Sequence, residues 1–156
     1  MQDQMSPTSA APTRSECQIG AENPSETAKN FAPPKLLVVD DEPLVRWSVA
    51  EVLGERGYEV AEAHDAASAM HAFCETADPA DVVLLDLRLP DSDDLRVLSA
   101  MRWLSPATPV ILMTAHGSPG LLEQARLLGA FTVLEKPFEM NELARIVDGA
   151  LDQRST

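Results

Sequence analysis

The sequence predicts an α/β protein, a doubly wound five-stranded parallel sheet in the order 2-1-3-4-5. Three observations predict it. From Lys35 onward, five short apolar runs alternate with longer stretches of helical period. Three of the runs are unbroken aliphatic, the composition that burial on both faces of a sheet produces. The other two carry charged or polar residues, as strands at an edge do.

Each element can be justified in turn. The run KLLVVD (35–40) is the first strand. After it, Leu44, Val45, Ser48, Val49, Val52 and Leu53 recur on one helical face, with Pro43 suited to the opening turn. YEVAEA (58–63) is the second strand, and Glu59 and Glu62 mark it as an edge. A helix carrying Cys74 leads to DVVLLD (81–86), the third strand. PVILMT (109–114) is the fourth, and AFTVLEK (130–136), with Thr132 and Glu135, is the second edge. In the last helix Met140, Leu143, Ala144, Val147 and Leu151 share a face. Five β-α units in succession require a parallel sheet with helices on both sides. With right-handed crossovers, the order is the flavodoxin-like one.

The chain has 156 residues, which favours one domain able to bury roughly two-thirds of its unfolded surface. Its apolar runs stop at four or five residues, against the roughly 20 that a membrane span needs. The start, MQDQMSPTSAAPTRSEC, has neither the basic opening nor the apolar stretch of a secretory signal. Two thiols, Cys17 and Cys74, make no disulfide framework, so a cytoplasmic location is expected. Residues 1–34 are rich in Ser, Thr, Pro, Ala and Glu and are expected to form a disordered tail. Pro33-Pro34 marks the boundary, residues 35–152 form the domain, and 153–156 are expected as a short C-terminal tail. From residue 35 there are 21 acidic and 10 basic residues, net −11. So acidic a domain lacks the footprint of a direct nucleic-acid binder.

In open parallel sheets ligands bind beyond the carboxyl ends of the strands, where the strand order reverses. Here that point lies between strands 1 and 3. Strand 1 ends in Asp40-Asp41, followed by Glu42; strand 3 ends in Asp86, strand 4 in Thr114 and strand 5 in Lys136-Pro137. Packed carboxylates resist ionisation unless a cation compensates them, and Mg2+ suits hard oxygen ligands. A phosphoryl group fits between such a metal, the Lys136 ammonium and the Thr114 hydroxyl, and a carboxylate beside Mg2+ is a route to an aspartyl phosphate. Only three of the twelve basic residues are lysines, so a lysine at the end of strand 5 suggests that a compact ammonium is wanted there.

These residues make a family resemblance visible. VVDDEP (38–43), LLDLRLPDSD (84–93), ILMTAHG (111–117) and LEKPFEMNEL (134–143) resemble the receiver domain of two-component response regulators, with wording most similar to NtrC-type receivers. The resemblance implies that Asp86 is the phosphoacceptor and Asp41 a direct Mg2+ ligand. It implies that Asp40 holds the metal through water and that Arg88 contributes its backbone carbonyl. It implies that Thr114 and Lys136 meet the phosphoryl group and that Lys136-Pro137 is a cis peptide. The partners it implies are a sensor histidine kinase or histidine phosphotransfer protein and a downstream protein target; dimerisation is left open.

Three departures stand out. Val133 occupies the place of the family's switching aromatic, which leaves coupling from Thr114 to the helix 4–strand 5–helix 5 face weaker or different. Asp93-Asp94 lacks the usual glycine, so a different turn is expected. The chain ends after the fifth helix, as in a stand-alone receiver or a piece of a longer regulator. Arg88 and His116 flank the phosphoryl pocket, where their bulk is expected to limit water attack, although His116 also reads as a plain surface residue. Trp47 and Trp103 are expected to pack partly on helix faces, and Cys74 to act as a small hydrophobe. His64 and His71 have no partners at ligand spacing. A rival function is a receiver-fold interaction module independent of phosphorylation. An aspartate-nucleophile phosphatase is disfavoured, because Arg88 stands where its second carboxylate belongs. A flavin protein is disfavoured by the lack of a phosphate loop after strand 1.

Overall fold

The structure is a computed structural model that describes residues 32–155. The expectation of a disordered tail, and Cys17 with it, therefore falls outside the described residues as far as residue 31.

The strands are β1 (Lys35–Val39), β2 (Glu59–Ala63), β3 (Val82–Asp86), β4 (Val110–Thr114) and β5 (Thr132–Glu135). The helices are α1 (Pro43–Glu55), α2 (Ala66–Cys74), α3 (Arg96–Leu104), α4 (Pro119–Leu127) and α5 (Met140–Ser155). All strand pairs are parallel, in the order β2-β1-β3-β4-β5. Fold class and strand order are as the sequence predicts.

The unbroken aliphatic runs serve two cores at once, because alternate side chains point to opposite faces. Leu37, Val39, Val83, Leu85, Val110 and Leu112 pack under α2, α3 and α4 with Ala69, Phe73, Leu98, Met101 and Ala125. Leu36, Val38, Val82, Leu84, Ile111 and Met113 pack under α1 and α5 with Val49, Leu53, Leu143, Ala144 and Val147. The edge strands are less buried, and Lys35 joins β2 through Glu59 (3.5 Å) and also pairs with Asp78 (2.5 Å).

Helix starts follow local chemistry. Asp65 caps α2 by accepting the Ser68 N–H (2.7 Å), while the Ser68 hydroxyl takes the Asp65 N–H (3.2 Å). Asp91, in the loop after β3, adds a second cap by accepting the N–H groups of Ala66 (2.7 Å) and Ala67 (3.0 Å). Ser118 caps α4 ahead of Pro119. The loop after Pro90 turns through a Leu89–Ser92 bridge, and among the described residues no non-glycine has positive φ.

Several surface expectations need correction. Leu44 lies off the buried stripe of α1 and is exposed, since Val45, Val49 and Leu53 already fill the inward face. Trp47 and Trp103 are 60% and 82% exposed. Each falls two residues, about 200°, from an inward-facing neighbour (Val45 and Val49; Met101). Cys74 is exposed as well, one residue beyond the buried Phe73. Residues 153–155 are the last turn of α5, not a tail, and Arg154 ties that turn to Asp81 before β3.

Candidate functional site

Strand ends bring the site together. β1 stops one residue before Asp40, whose N–H bonds to the Ala63 carbonyl at the end of β2 (3.1 Å). Asp86 and Thr114 are the last residues of β3 and β4. The Lys136 N–H bonds to the Thr114 carbonyl (2.8 Å), extending the β4–β5 ladder by one residue, and Lys136-Pro137 is cis. Burial follows from position: Asp40 is 0% exposed, Thr114 2% and Asp86 5%, while Asp41, one residue further, is exposed.

The Lys136 ammonium sits among carboxylates. It lies 2.7 Å from Asp40 Oδ2, 3.2 Å from Asp86 Oδ2 and 3.5 Å from Glu42 Oε1. The other Asp40 oxygen accepts the Glu42 N–H (2.9 Å), and Asp86 Oδ1 accepts the Arg88 N–H (3.2 Å). Asp40, Asp41 and Asp86 each offer an oxygen, all within 4.8 Å of one another. The Thr114 hydroxyl accepts the His116 N–H (3.2 Å) and bonds to none of the carboxylates. The Arg88 and His116 side chains are both exposed. All six sequence-predicted residues, Asp40, Asp41, Asp86, Arg88, Thr114 and Lys136, thus lie at one end of the sheet. Arg88 and Thr114 reach the cluster only through backbone contacts.

Electrostatics express the crowding. Burial, and then the Asp40 charge, push the Asp86 carboxyl up to about 6, against the pull of Lys136 and the Arg88 N–H. Burial draws the Lys136 ammonium down, but its hydrogen bond to Asp40 and the Asp86 and Asp40 charges outweigh that and raise it. One ammonium therefore does not neutralise the cluster. A set of oxygen-only donors with surplus negative charge and an exposed Asp41 at the mouth fits a hard divalent cation such as Mg2+.

Two residues have contacts that the sequence does not predict, although it places Glu42 directly after the acidic pair. Glu42 is a third carboxylate on Lys136, and the Arg46 guanidinium donates to the Asp40 carbonyl (2.6 Å) and to Glu62 (3.2 Å). The available signal for Arg46 was its place in the first turn after the acidic pair, where side chains lean back toward the helix N-terminus. Beside Lys136, an open pocket of about 550 Å3 is lined by Glu42, Val45, Ala115, His116, Phe138 and Met140 among others.

Known proteins are similar to this chain in sequence and in fold. A family model described as the response regulator receiver domain matches residues 36–148. Regulatory protein AtoC of Escherichia coli is 38% identical over 121 residues, covering 78% of this chain and 26% of that protein. Sporulation initiation phosphotransferase F of Bacillus subtilis is 32% identical over 121 residues, covering 78% of this chain and 96% of that protein. A solved response regulator receiver domain protein from Clostridium thermocellum matches with a TM-score of 0.73 and 28% identity, covering 78% of this chain and 97% of that one. The chain thus spans about a quarter of the first relative and nearly all of the second.

Proposed function

Because the chain belongs to the response regulator receiver domain family, whose members are phosphoacceptor signalling modules, we propose that Asp86 accepts a phosphoryl group from a sensor histidine kinase or histidine phosphotransfer protein. The reaction depends on Mg2+, and the phosphorylated domain offers a changed surface to a downstream protein in the cytoplasm. The observation that carries this reading is the buried Asp40–Lys136–Asp86 triad with Asp41 exposed beside it.

Asp41 and Asp86, with Asp40 through water and the Arg88 carbonyl, would hold the Mg2+ ion. When bound, it supplies positive charge to a phosphoryl group in transit. An Asp86 Oδ attacks phosphorus as the phosphorus–nitrogen bond to the donor histidine breaks, and the imidazole leaves. Lys136 then pairs with the phosphoryl oxygens in place of the lost carboxylate charge, and the Thr114 hydroxyl donates to one of them. The protein acts as a phosphoacceptor assisting its own phosphorylation and dephosphorylation. The apolar lining beside Lys136, with Val45, Phe138 and Met140, gives the donor protein a place to rest against the acceptor.

Intact-mass spectrometry after incubation with a small acyl phosphate tests the reading. One phosphoryl adduct is expected with Mg2+, none in EDTA and none on Asp86→Asn. No adduct on the unaltered chain, under conditions that label another receiver, would favour an interaction module independent of phosphorylation. Val133 is the residue on which that second reading rests; it lies half-buried against the α2–α4 side of the core.

A further inference from the structure

Arg46 joins two strand ends across the top of the sheet. Its Nη1 donates to the Asp40 carbonyl at 2.6 Å and its Nε to Glu62 Oε1 at 3.2 Å, with the side chain largely buried. Glu62 is on β2, next to Ala63, whose carbonyl takes the Asp40 N–H. Asp40 is consequently held at every polar atom. Ala63 takes its N–H, Arg46 its carbonyl, the Glu42 N–H one carboxylate oxygen and Lys136 the other. The carbonyl that Arg46 grips belongs to the planar peptide joining Asp40 to Asp41. Holding that plane sets the direction in which Asp41 leaves the backbone. Asp41 has no comparable restraint on its own exposed side chain.

We propose that Arg46 is a positioning residue which, braced by Glu62, fixes the Asp40–Asp41 peptide and so aims Asp41 at Asp86. The inference rests on the reading of this cluster as a Mg2+ site. Its sign separates it from simple charge. As a nearby cation, Arg46 repels a metal, and removing it would tighten binding; as a strut, removing it weakens binding.

Calorimetric titration of the full chain with Mg2+ decides between these, with melting in EDTA run alongside to report folding. Arg46→Met is expected to weaken Mg2+ binding about tenfold, the range typical of residues that orient ligands from behind. Arg46→Lys, which keeps the charge but reaches only one of the two partners, recovers part of the loss. Glu62→Ala weakens binding less than Arg46→Met and adds nothing in the Arg46→Met background, since both remove one strut. Unchanged or tighter binding by Arg46→Met, or fully additive losses, would overturn the proposal. If Arg46→Met does not fold, Glu62→Ala decides alone, and unaltered Mg2+ affinity in it counts against the strut. An unaltered chain that binds no Mg2+ would instead overturn the metal-site reading itself.

Discussion

Asp86 is in tension with folding while Lys136 supports it, and single substitutions should reveal both. The folded Asp86 pKa is raised by burial and the Asp40 charge to about 6, so the folded state binds its proton more tightly than the unfolded state does. Such a group costs stability above its folded pKa, and the cost fades as pH falls through about 6 toward the unfolded value. Asp86→Asn is therefore expected to stabilise the Mg2+-free protein by about 3 kcal/mol at pH 7.5, with the gain over the unaltered chain shrinking as pH drops below 6. Chemical denaturation of both proteins at several pH values in EDTA measures this. Lys136→Met should act in the opposite sense. It leaves the fully buried Asp40 carboxylate with only the Glu42 N–H, a loss of about 3 kcal/mol read from the same denaturation curves. At this scale Asp40, Asp86, Thr114 and Lys136 were legible in the sequence because they end strands, and strand ends in such a sheet converge. The contacts of Arg46 and Glu42 were not, because they depend on how far a side chain reaches back from the start of α1. No spacing rule encodes that reach.

Elements were legible where periodicity is strong and less so where a surface position competes with the stripe. Strand order could be read because β1, β3 and β4 feed two cores while β2 and β5 feed less. Leu44 misled because a large apolar residue beside the stripe reads as part of it, yet the inward face of a helix has room for only every third or fourth position. Trp47 and Trp103, expected to pack partly on helix faces, are exposed as well. Residues 153–155 read as a tail because the apolar stripe of α5 stops at Leu151, whereas the Arg154–Asp81 pair carries the helix further. Junctions between elements give a sharper test. Gly57 precedes β2 and Gly129 precedes β5, both at φ +95. A Cβ at Gly57 would meet open space, but at Gly129 it would lie 2.9 Å from Arg102 Nε, which is buried without a partner. Gly57→Ala is expected to cost about 1 kcal/mol from backbone strain alone. Gly129→Ala should cost about 2 kcal/mol or more, because the Arg102 guanidinium, which also holds the Thr108 carbonyl, must shift. Thermal denaturation of the two variants side by side checks the order.

At the level of the whole molecule, the charge surplus of the domain and the charge of its site point the same way. Residues 35–156 carry net −11, and that self-repulsion loads the compact state. A divalent cation held, as proposed, by Asp41 and Asp86 would relieve part of it, and a ligand that binds only the folded form stabilises by mass action. At a hundred times its dissociation constant Mg2+ should add about 3 kcal/mol. Melting temperature should rise with Mg2+ for the unaltered chain and far less for Asp41→Asn, whereas sodium chloride should affect both alike. The proposed chemistry is narrower than stability: a phosphoryl group is accepted, and Asp86 accepts it. Its most direct test is to load the full chain with an acyl phosphate and Mg2+, reduce it with borohydride, and sequence the peptides by mass spectrometry. Reduction converts an aspartyl phosphate to homoserine. Homoserine is expected at position 86 and nowhere else; homoserine at another aspartate, or none in a preparation whose mass shows the adduct, would rule out Asp86 as the acceptor.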